Sequence, residues 1–395
     1  MCKLSNLMLR SVGGMMKSIG TSLIVALSLM AAMPIRAGAQ DPASSFDARA
    51  AQAVRDDPQA QFVLGSMYYK GSSGTRRDHA MAAYWYRKAA EQGHVKAQVN
   101  LGGLYFDGEG VAQDYAEAAR WFRKAAEDGA AALAELNLGV MYEHGRGVAP
   151  DPAEAARWYG RAAEHGDAQA QHRLGLMYFK GGGVKRDHVQ AARWYRAAAA
   201  QGNPSAQFHL GSMYLQGQGV PKEPSEAFRL FRGAGGLGHE NAQYNLGLMY
   251  LNGIGVQKDL DESVRWFRAA AEQKSALGQY NLALMYANGT GVAKNSEEAA
   301  RLTSLAAHQG LAMAQHNLGI AYISGAGVEK DSAAAVHWFQ KAAQQGHARA
   351  QFNLAMMYAR GEGVARNDAL AFEWMQKAAN QLPEARQYLD RTRKE

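Results

Sequence analysis

The sequence predicts an all-α protein, a solenoid of nine stacked αα-hairpin repeats. Three observations carry that prediction. One pattern recurs nine times at a step of 36 or 37 residues, beginning at Ala60, Ala97, Ala134, Ala170, Ala206, Ala242, Gly278, Ala314 and Ala350. Each copy opens with apolar residues at helical spacing and closes that segment with glycine. All seven tryptophans of the 395-residue chain share one register in a second segment. A fixed period of this length marks an array of small units, none able to bury its apolar face alone.

Taken in order, the first element is residues 1–39. They carry Lys3, Arg10, Lys17 and Arg36, no acid, an apolar run over 19–33, and then Ala37-Gly38-Ala39. A basic segment, a short apolar core and A-x-A predict a secretory signal peptide cut after Ala39, since the run is shorter than the ~20 residues of a membrane span. Its removal lowers the formal net charge from +7 to +3 and takes Cys2, the only cysteine. The mature chain is then expected in a periplasm or the medium, without disulfides or thiolate chemistry. The weak positive excess gives no nucleic-acid signature. Residues 40–59 are expected to form a linker and an Ala-rich capping helix over 46–54. Residues 60–382 are the nine repeats, and 383–395 a C-terminal capping helix with polar Arg386, Gln387, Asp390 and Arg391.

The sixth copy shows how a repeat folds. Leu246, Met249 and Tyr250 recur at i, i+3, i+4, so they share one helical face. Gly253 and Gly255 end that helix, and Asp259 is placed to cap a second one carrying Val264, Trp266, Phe267, Ala270 and Ala271. Tyrosine holds the ninth place of all nine copies, from Tyr68 to Tyr358, and glycine the twelfth, from Gly71 to Gly361. Large aromatics opposite paired alanines fill a narrow layered core.

The copies also differ. The first loop has one extra residue and Thr75 where others have valine; the turn at 129–133 is longer by one. The fifth copy replaces tryptophan with Leu230 and carries Gly233-Ala234-Gly235-Gly236, which predicts a weak or short second helix because interior glycine costs about 1 kcal/mol. The sixth has Lys274 where glycine is usual, and the seventh Leu302-Thr303 in place of the tryptophan-aromatic pair. Copies five to seven are thus expected to hold a bend or soft spot.

The frame A-Q-x-N-L-G-x-M-Y-x-x-G-x-G-V-x-x-D-x-x-x-A-x-x-W-[YF]-x-x-A-A-x-x-G resembles the Sel-one-like repeat, a relative of the tetratricopeptide repeat, over residues 60–382. The resemblance implies a right-handed α-solenoid whose first helices line a concave face, and an adaptor for other proteins, exported in bacterial cases. By that likeness the concave strip contains Phe62, His172, Phe208, Tyr244, Leu248, Tyr280, Leu284, His316 and Phe352. Some of these are equally suited to pack the next repeat.

Chemistry is thin. His94, His165, His239, His308 and His347 fall one per repeat at the inter-repeat turns, too far apart to share an ion with bonds near 2 Å, so no metal is expected. The Gly-x-Gly-Val loops follow helices and lack G-K-[ST], so they read as turns rather than phosphate cradles. Arg120, Arg157, Arg193 and Arg265 form a solvated row on the second helix. No nucleophile–base or paired-carboxylate pattern stands out, so no cofactor and no catalysis are expected. The sequence therefore favours a periplasmic adaptor for a protein or peptide. Two alternatives remain. One is binding to cell-wall or polysaccharide material. The other is a β-lactam-hydrolysing or penicillin-binding enzyme, implied by relatives that carry a cysteine pair per repeat, which this chain lacks.

Overall fold

The computed structural model describes residues 50–392, apart from 52, 54, 73, 74 and 130. The expected signal peptide at 1–39, and the 40–49 part of the segment before the repeats, lie outside the described residues. Among the described residues there are nineteen helices and no strand. The chain is an all-α solenoid of helical hairpins. Its contacts divide it into two compact units, one up to Lys222 and one from Glu223.

The first unit holds α1 (Pro58–Lys70), α2 (His79–Glu91), α3 (Val95–Asp107), α4 (Tyr115–Gly129), α5 (Ala132–His144), α6 (Pro152–Glu164), α7 (Ala168–Lys180), α8 (His188–Ala200) and α9 (Pro204–Gln216). The second holds α10 (Pro224–Gly236), α11 (Glu240–Asn252), α12 (Leu260–Glu272), α13 (Ala276–Asn288), α14 (Ser296–His308), α15 (Ala312–Ser324), α16 (Ser332–Gln344), α17 (Ala348–Arg360), α18 (Asp368–Ala379) and α19 (Pro383–Thr392). Odd-numbered helices up to α17 open repeats and even-numbered ones close them. Within each unit a helix packs mainly on its neighbours in sequence.

Local chemistry sets each boundary. First helices end on glycine in the left-handed conformation, such as Gly145 at φ +68. Second helices begin at an aspartate or asparagine, except α10, which begins at Glu223 without a side-chain cap bond. The Asp151 carboxylate accepts from the amides of Ala153 and Glu154 at 2.9 and 3.0 Å, while its own amide donates to the Tyr142 carbonyl at 2.9 Å. The first bonds satisfy helix donors that have no intrahelical partner. The last closes the hairpin.

Two contacts fix the packing. Inside a hairpin, an aromatic ring of the second helix lies flat on a glycine of the first. A Cβ on Gly139 would stand 2.4 Å from the Tyr159 ring, and one on Gly247 2.5 Å from Phe267. Where the ring gives way to Thr303 or Met375, the matching glycine becomes Ala283 or Ala355. Between hairpins, the second loop glycine sits on the start of the preceding second helix. At Gly147, φ +69, a Cβ would be 2.2 Å from the Tyr115 carbonyl oxygen.

The tryptophans pack between the second helix of the preceding repeat and the first helix of their own, Trp121, Trp158 and Trp338 being buried and the others partly so. Trp158 packs with Ala125 and Ala126 of α4 and with Ala134, Leu138 and Tyr142 of α5. At the start, Ala53, on helical backbone and buried, clusters with Ala60, Leu64 and Trp85, in the place a preceding second helix would hold. At the end, fully buried Ala385 of α19 joins Met375 and Ala378.

One expectation is corrected. The glycine-rich second helix of the fifth repeat, α10, is neither short nor broken: it runs thirteen residues like its counterparts. Ala227, Leu230, Phe231 and Ala234 give it a buried stripe, and packing outweighs propensity. Gly235 is there because a Cβ would lie 2.8 Å from Leu246 and 3.2 Å from Trp266. Lys274 holds the left-handed turn that glycine holds elsewhere, at φ +67.

These contacts predict opposite outcomes for two glycines of the third repeat. Gly139→Ala should lower stability by about 1–3 kcal/mol, because the ring beneath it must move. Gly160→Ala, in the interior of α6 with nothing within 4 Å of an added methyl, should raise it by about 0.5–1 kcal/mol. Urea unfolding of both variants checks this, and equal shifts would refute the aromatic-on-glycine account.

Candidate functional site

The most regular polar feature is a buried ladder of glutamines at the second place of the repeat, a role the sequence reading did not assign. Gln61, Gln98, Gln171, Gln243, Gln315 and Gln351 each donate Nε2 to a carbonyl eight residues earlier, at 3.1–3.2 Å. The Oε1 of Gln171 accepts from Gln201, that of Gln243 from Gln273 and that of Gln315 from Gln345, at 2.7–2.9 Å. Glutamine at that place in eight of nine copies was the available signal. The exception is Glu135, fully buried, with its carboxylate 3.0 Å from Arg161 Nε and 2.7 Å from His165 Nδ1. This ladder is interior and serves the stack.

The predicted strip on the first helices divides by burial. In the first unit, Phe62 is half-buried and its ring stacks on His94 at 4.6 Å. His172 and Phe208 are buried; His172 Nε2 lies 3.4 Å from His209 Nδ1, and the His209 ring stacks on Tyr195. In the second unit, Tyr244 and Leu248 are 1% and 5% exposed, with the Tyr244 ring 6.0 Å from that of Phe267. Tyr280, Leu284, His316 and Phe352 keep part of their surface open.

Those four lie on α13, α15 and α17, which a hydrogen-bonded chain joins. Asn317 Nδ2 donates to the Tyr280 hydroxyl at 3.0 Å, and Asn317 Oδ1 meets His316 Nδ1 at 3.1 Å. His316 Nε2 meets Asn353 Nδ2 at 3.2 Å. The His316 ring packs on that of His347 at 4.7 Å. Beside them Ile320 and Ile323 are 41% and 39% exposed. An aromatic and amide lattice held in place next to open apolar side chains can grip an apolar side chain and hydrogen-bond a peptide group.

The turn histidines are more structural than their positions suggest. Nδ1 of His94, His239 and His347 accepts the amide of Ala97, Ala242 and Ala350, which makes each the cap of a first helix. Burial lowers the pKa of His239 to about 4. Burial, then the neighbouring His316 and Arg349, does the same to His347, also about 4. At the end of α14, Ser304 Oγ is 3.3 Å from His308 Nδ1, but that nitrogen donates to the Ser304 carbonyl at 2.8 Å, so it is no base for the hydroxyl. Among the described residues no group of three or more His, Cys, Asp or Glu is placed to hold a metal, and no helix is long and apolar enough to cross a membrane. Arg120, Arg157 and Arg265 are exposed and pair with the glutamate three residues before, contacts of little energy.

Comparison with known proteins agrees with this architecture. A family model described as the Sel1 repeat matches residues 58–94, 95–129, 132–167, 168–203, 204–239, 241–275, 276–311, 312–347 and 348–381. The chain is similar to a solved protective antigen of uropathogenic Escherichia coli with an SLR fold, at 38% identity over 86% of this chain and 80% of that one, TM-score 0.59. It is also similar to a solved Sel1 repeat protein of Oxalobacter formigenes, at 35% identity over 78% and 89%, TM-score 0.61. A 57-residue stretch is 37% identical to the ERAD-associated E3 ubiquitin-protein ligase component HRD3A of Arabidopsis thaliana. That stretch is 14% of this chain and only 8% of the plant protein's length.

The capping histidines give an acid-sensitivity prediction. Folding favours their neutral form; for His239, at about 4 against about 6.5 unfolded, the stabilising effect is complete above pH 6.5 and falls away between 6.5 and 4. Asparagine caps equally well and does not titrate. His239→Asn should therefore lose about 2 kcal/mol less than the parent on going from pH 7 to pH 4.5. Denaturant titrations at the two pH values measure it; an unchanged loss would remove His239 from the account.

Proposed function

The chain belongs to the Sel1 repeat family, and from that premise we propose that it is a non-catalytic scaffold that binds a partner protein or peptide along its first-helix face. Proteins built of Sel1 repeats are generally protein-interaction scaffolds and generally not catalysts. One observation supports the placement: Tyr280, His316 and Phe352 stay partly open on three successive first helices, with Asn317 bracing Tyr280 and Asn317 and Asn353 bracing His316. Side chains held before binding lose little rotamer freedom when a partner docks, which favours affinity. Leu284 and Ile320 supply apolar area beside the aromatic anchors. An extended or helical peptide with apolar anchors suits such a face.

The compartment belongs to the same proposal. The basic, apolar and small-residue order of 1–39 supports export to a periplasm or the medium. Protein sequencing of the exported chain should then read from Gln40.

A photo-crosslinking residue placed at Ile320 should capture a defined partner in the native cells, whereas one at exposed Arg229 on the second helix should not. Combined Tyr280→Ala and Phe352→Ala should reduce recovery of that partner at least about tenfold, equivalent to about 1.4 kcal/mol. Equal capture at Ile320 and Arg229, or full recovery by the double variant, would defeat the placement.

A further inference from the structure

The seventh repeat has lost its tryptophan but kept the seat. In the eighth repeat Trp338 is buried with Ala307 of the preceding second helix and with Leu318 and Tyr322 of its own first helix. In the ninth, Trp374 takes Ala343, Leu354 and Tyr358. One period earlier the same positions are Ala271, Leu282 and Tyr286, and the tryptophan is Leu302. Those residues line an open cleft of about 320 Å³ between α12, α13 and α14. That volume lies at the small end of ligand sites, about 300–1,000 Å³.

Two further features of the repeat have changed or stayed in ways that point to an occupant. Elsewhere the residue three after the tryptophan can be a cation over its ring, as with Arg161 over Trp158 at 4.7 Å and Lys377 over Trp374 at 4.2 Å. In the seventh repeat that residue is Leu305, 42% exposed at the cleft's edge. The charged cover of the seat is thus replaced by an apolar lip. The residue four before the tryptophan has stayed. In the sixth repeat it is Glu262, which accepts the Trp266 indole N–H at 3.1 Å. In the seventh it is Glu298, on the cleft wall, where Arg301 grips its carboxylate through two bonds of 2.7 Å.

From this we infer that the cleft between α12, α13 and α14 receives an indole, the tryptophan side chain of a partner polypeptide. The seat supplies the apolar walls that bury indole in the neighbouring repeats, Glu298 supplies the N–H acceptor, and Arg268 stands at the rim where a cation can face the ring. Leu302 is buried in the seat at 3% exposure but is smaller than a tryptophan, and space left beside a smaller side chain can take a molecule of matching shape. The apolar lip at Leu305 favours a side chain delivered from a polypeptide, because it adds contact beside the mouth, outside the seat. The site has no need of Tyr280 or Phe352, so it stands or falls apart from the first-helix proposal.

The test is ligand-observed NMR on the purified chain with N-acetyltryptophanamide, 5-fluoroindole and N-acetylphenylalaninamide. The first two should bind saturably, and the phenylalanine derivative about tenfold more weakly, since it leaves the Glu298 acceptor unused. Leu302→Trp should fill the seat, raise the melting temperature and abolish both indole signals. Leu305→Lys, which restores the charged cover, should weaken them and decides the matter should Leu302→Trp fail to fold. Absence of saturable binding, or binding unchanged in the variants, would overturn the site. Binding of 5-fluoroindole without N-acetyltryptophanamide would overturn the polypeptide source.

Discussion

A tryptophan in this chain has no complete pocket within its own hairpin. It is enclosed only when the preceding repeat's second helix closes over it, as α4 closes over Trp158. A buried indole of this size contributes roughly 4–6 kcal/mol from its 150–250 Å² before entropy is counted. That burial is available only to a repeat with a predecessor. Stacking is therefore a condition of folding, and the interface between repeats is the core. The same logic explains the start of the described chain, where Ala53 stands in for a missing predecessor against Trp85.

Apolar burial alone would allow repeats to slide, since alanine-lined grooves look alike at each turn. The buried amides remove that freedom. Gln243 reaches the Gly235 carbonyl behind it and accepts from Gln273 ahead of it. A slip of one turn would leave both ends unsatisfied, at about 1–3 kcal/mol for each group. The loop glycines act at the other edge of the stack. Gly255 lies so near the Pro224 carbonyl that a Cβ would come within 2.2 Å. Arg123 and Arg268 add a third tie, each donating to the tyrosine hydroxyl of the next repeat, at 2.8 and 3.2 Å.

What was legible in the sequence was whatever repeats with a single local cause. The period, the glycine that ends each first helix and the aspartate that caps the next follow from backbone chemistry and needed no partner. The glutamine ladder did not show, because a polar residue inside an apolar helix is informative only once the carbonyl it meets is known, and that carbonyl lies on the preceding helix. The state of α10 was misread for a related reason: its glycines were weighed for propensity, when Gly235 answers to Leu246 and Trp266 on neighbouring helices. The capping role of the histidines did not show, because their ring nitrogens engage amides only three residues away, a geometry that composition does not reveal. For the strip, the family resemblance placed nine residues on the first-helix face but could not say how deeply the next first helix covers each.

Uneven cover of that strip decides how such a protein can bind at all. Tyr244 and Leu248 occupy the same frame positions as Tyr280 and Leu284, yet the first pair is buried and the second is partly open. A side chain already enclosed by its neighbours has no apolar area left to give a partner, and withdrawing it would open the core. On the proposed function, binding falls where the frame's third and seventh places outreach the cover of adjacent helices, as on α13, α15 and α17. Asn317 ties the Tyr280 hydroxyl to the His316 ring, and Asn353 meets the ring's other nitrogen, so these two side chains are partly open without being loose. A frame that fixes the interior so tightly leaves these few positions free to vary without cost to the fold, and so able to choose a partner.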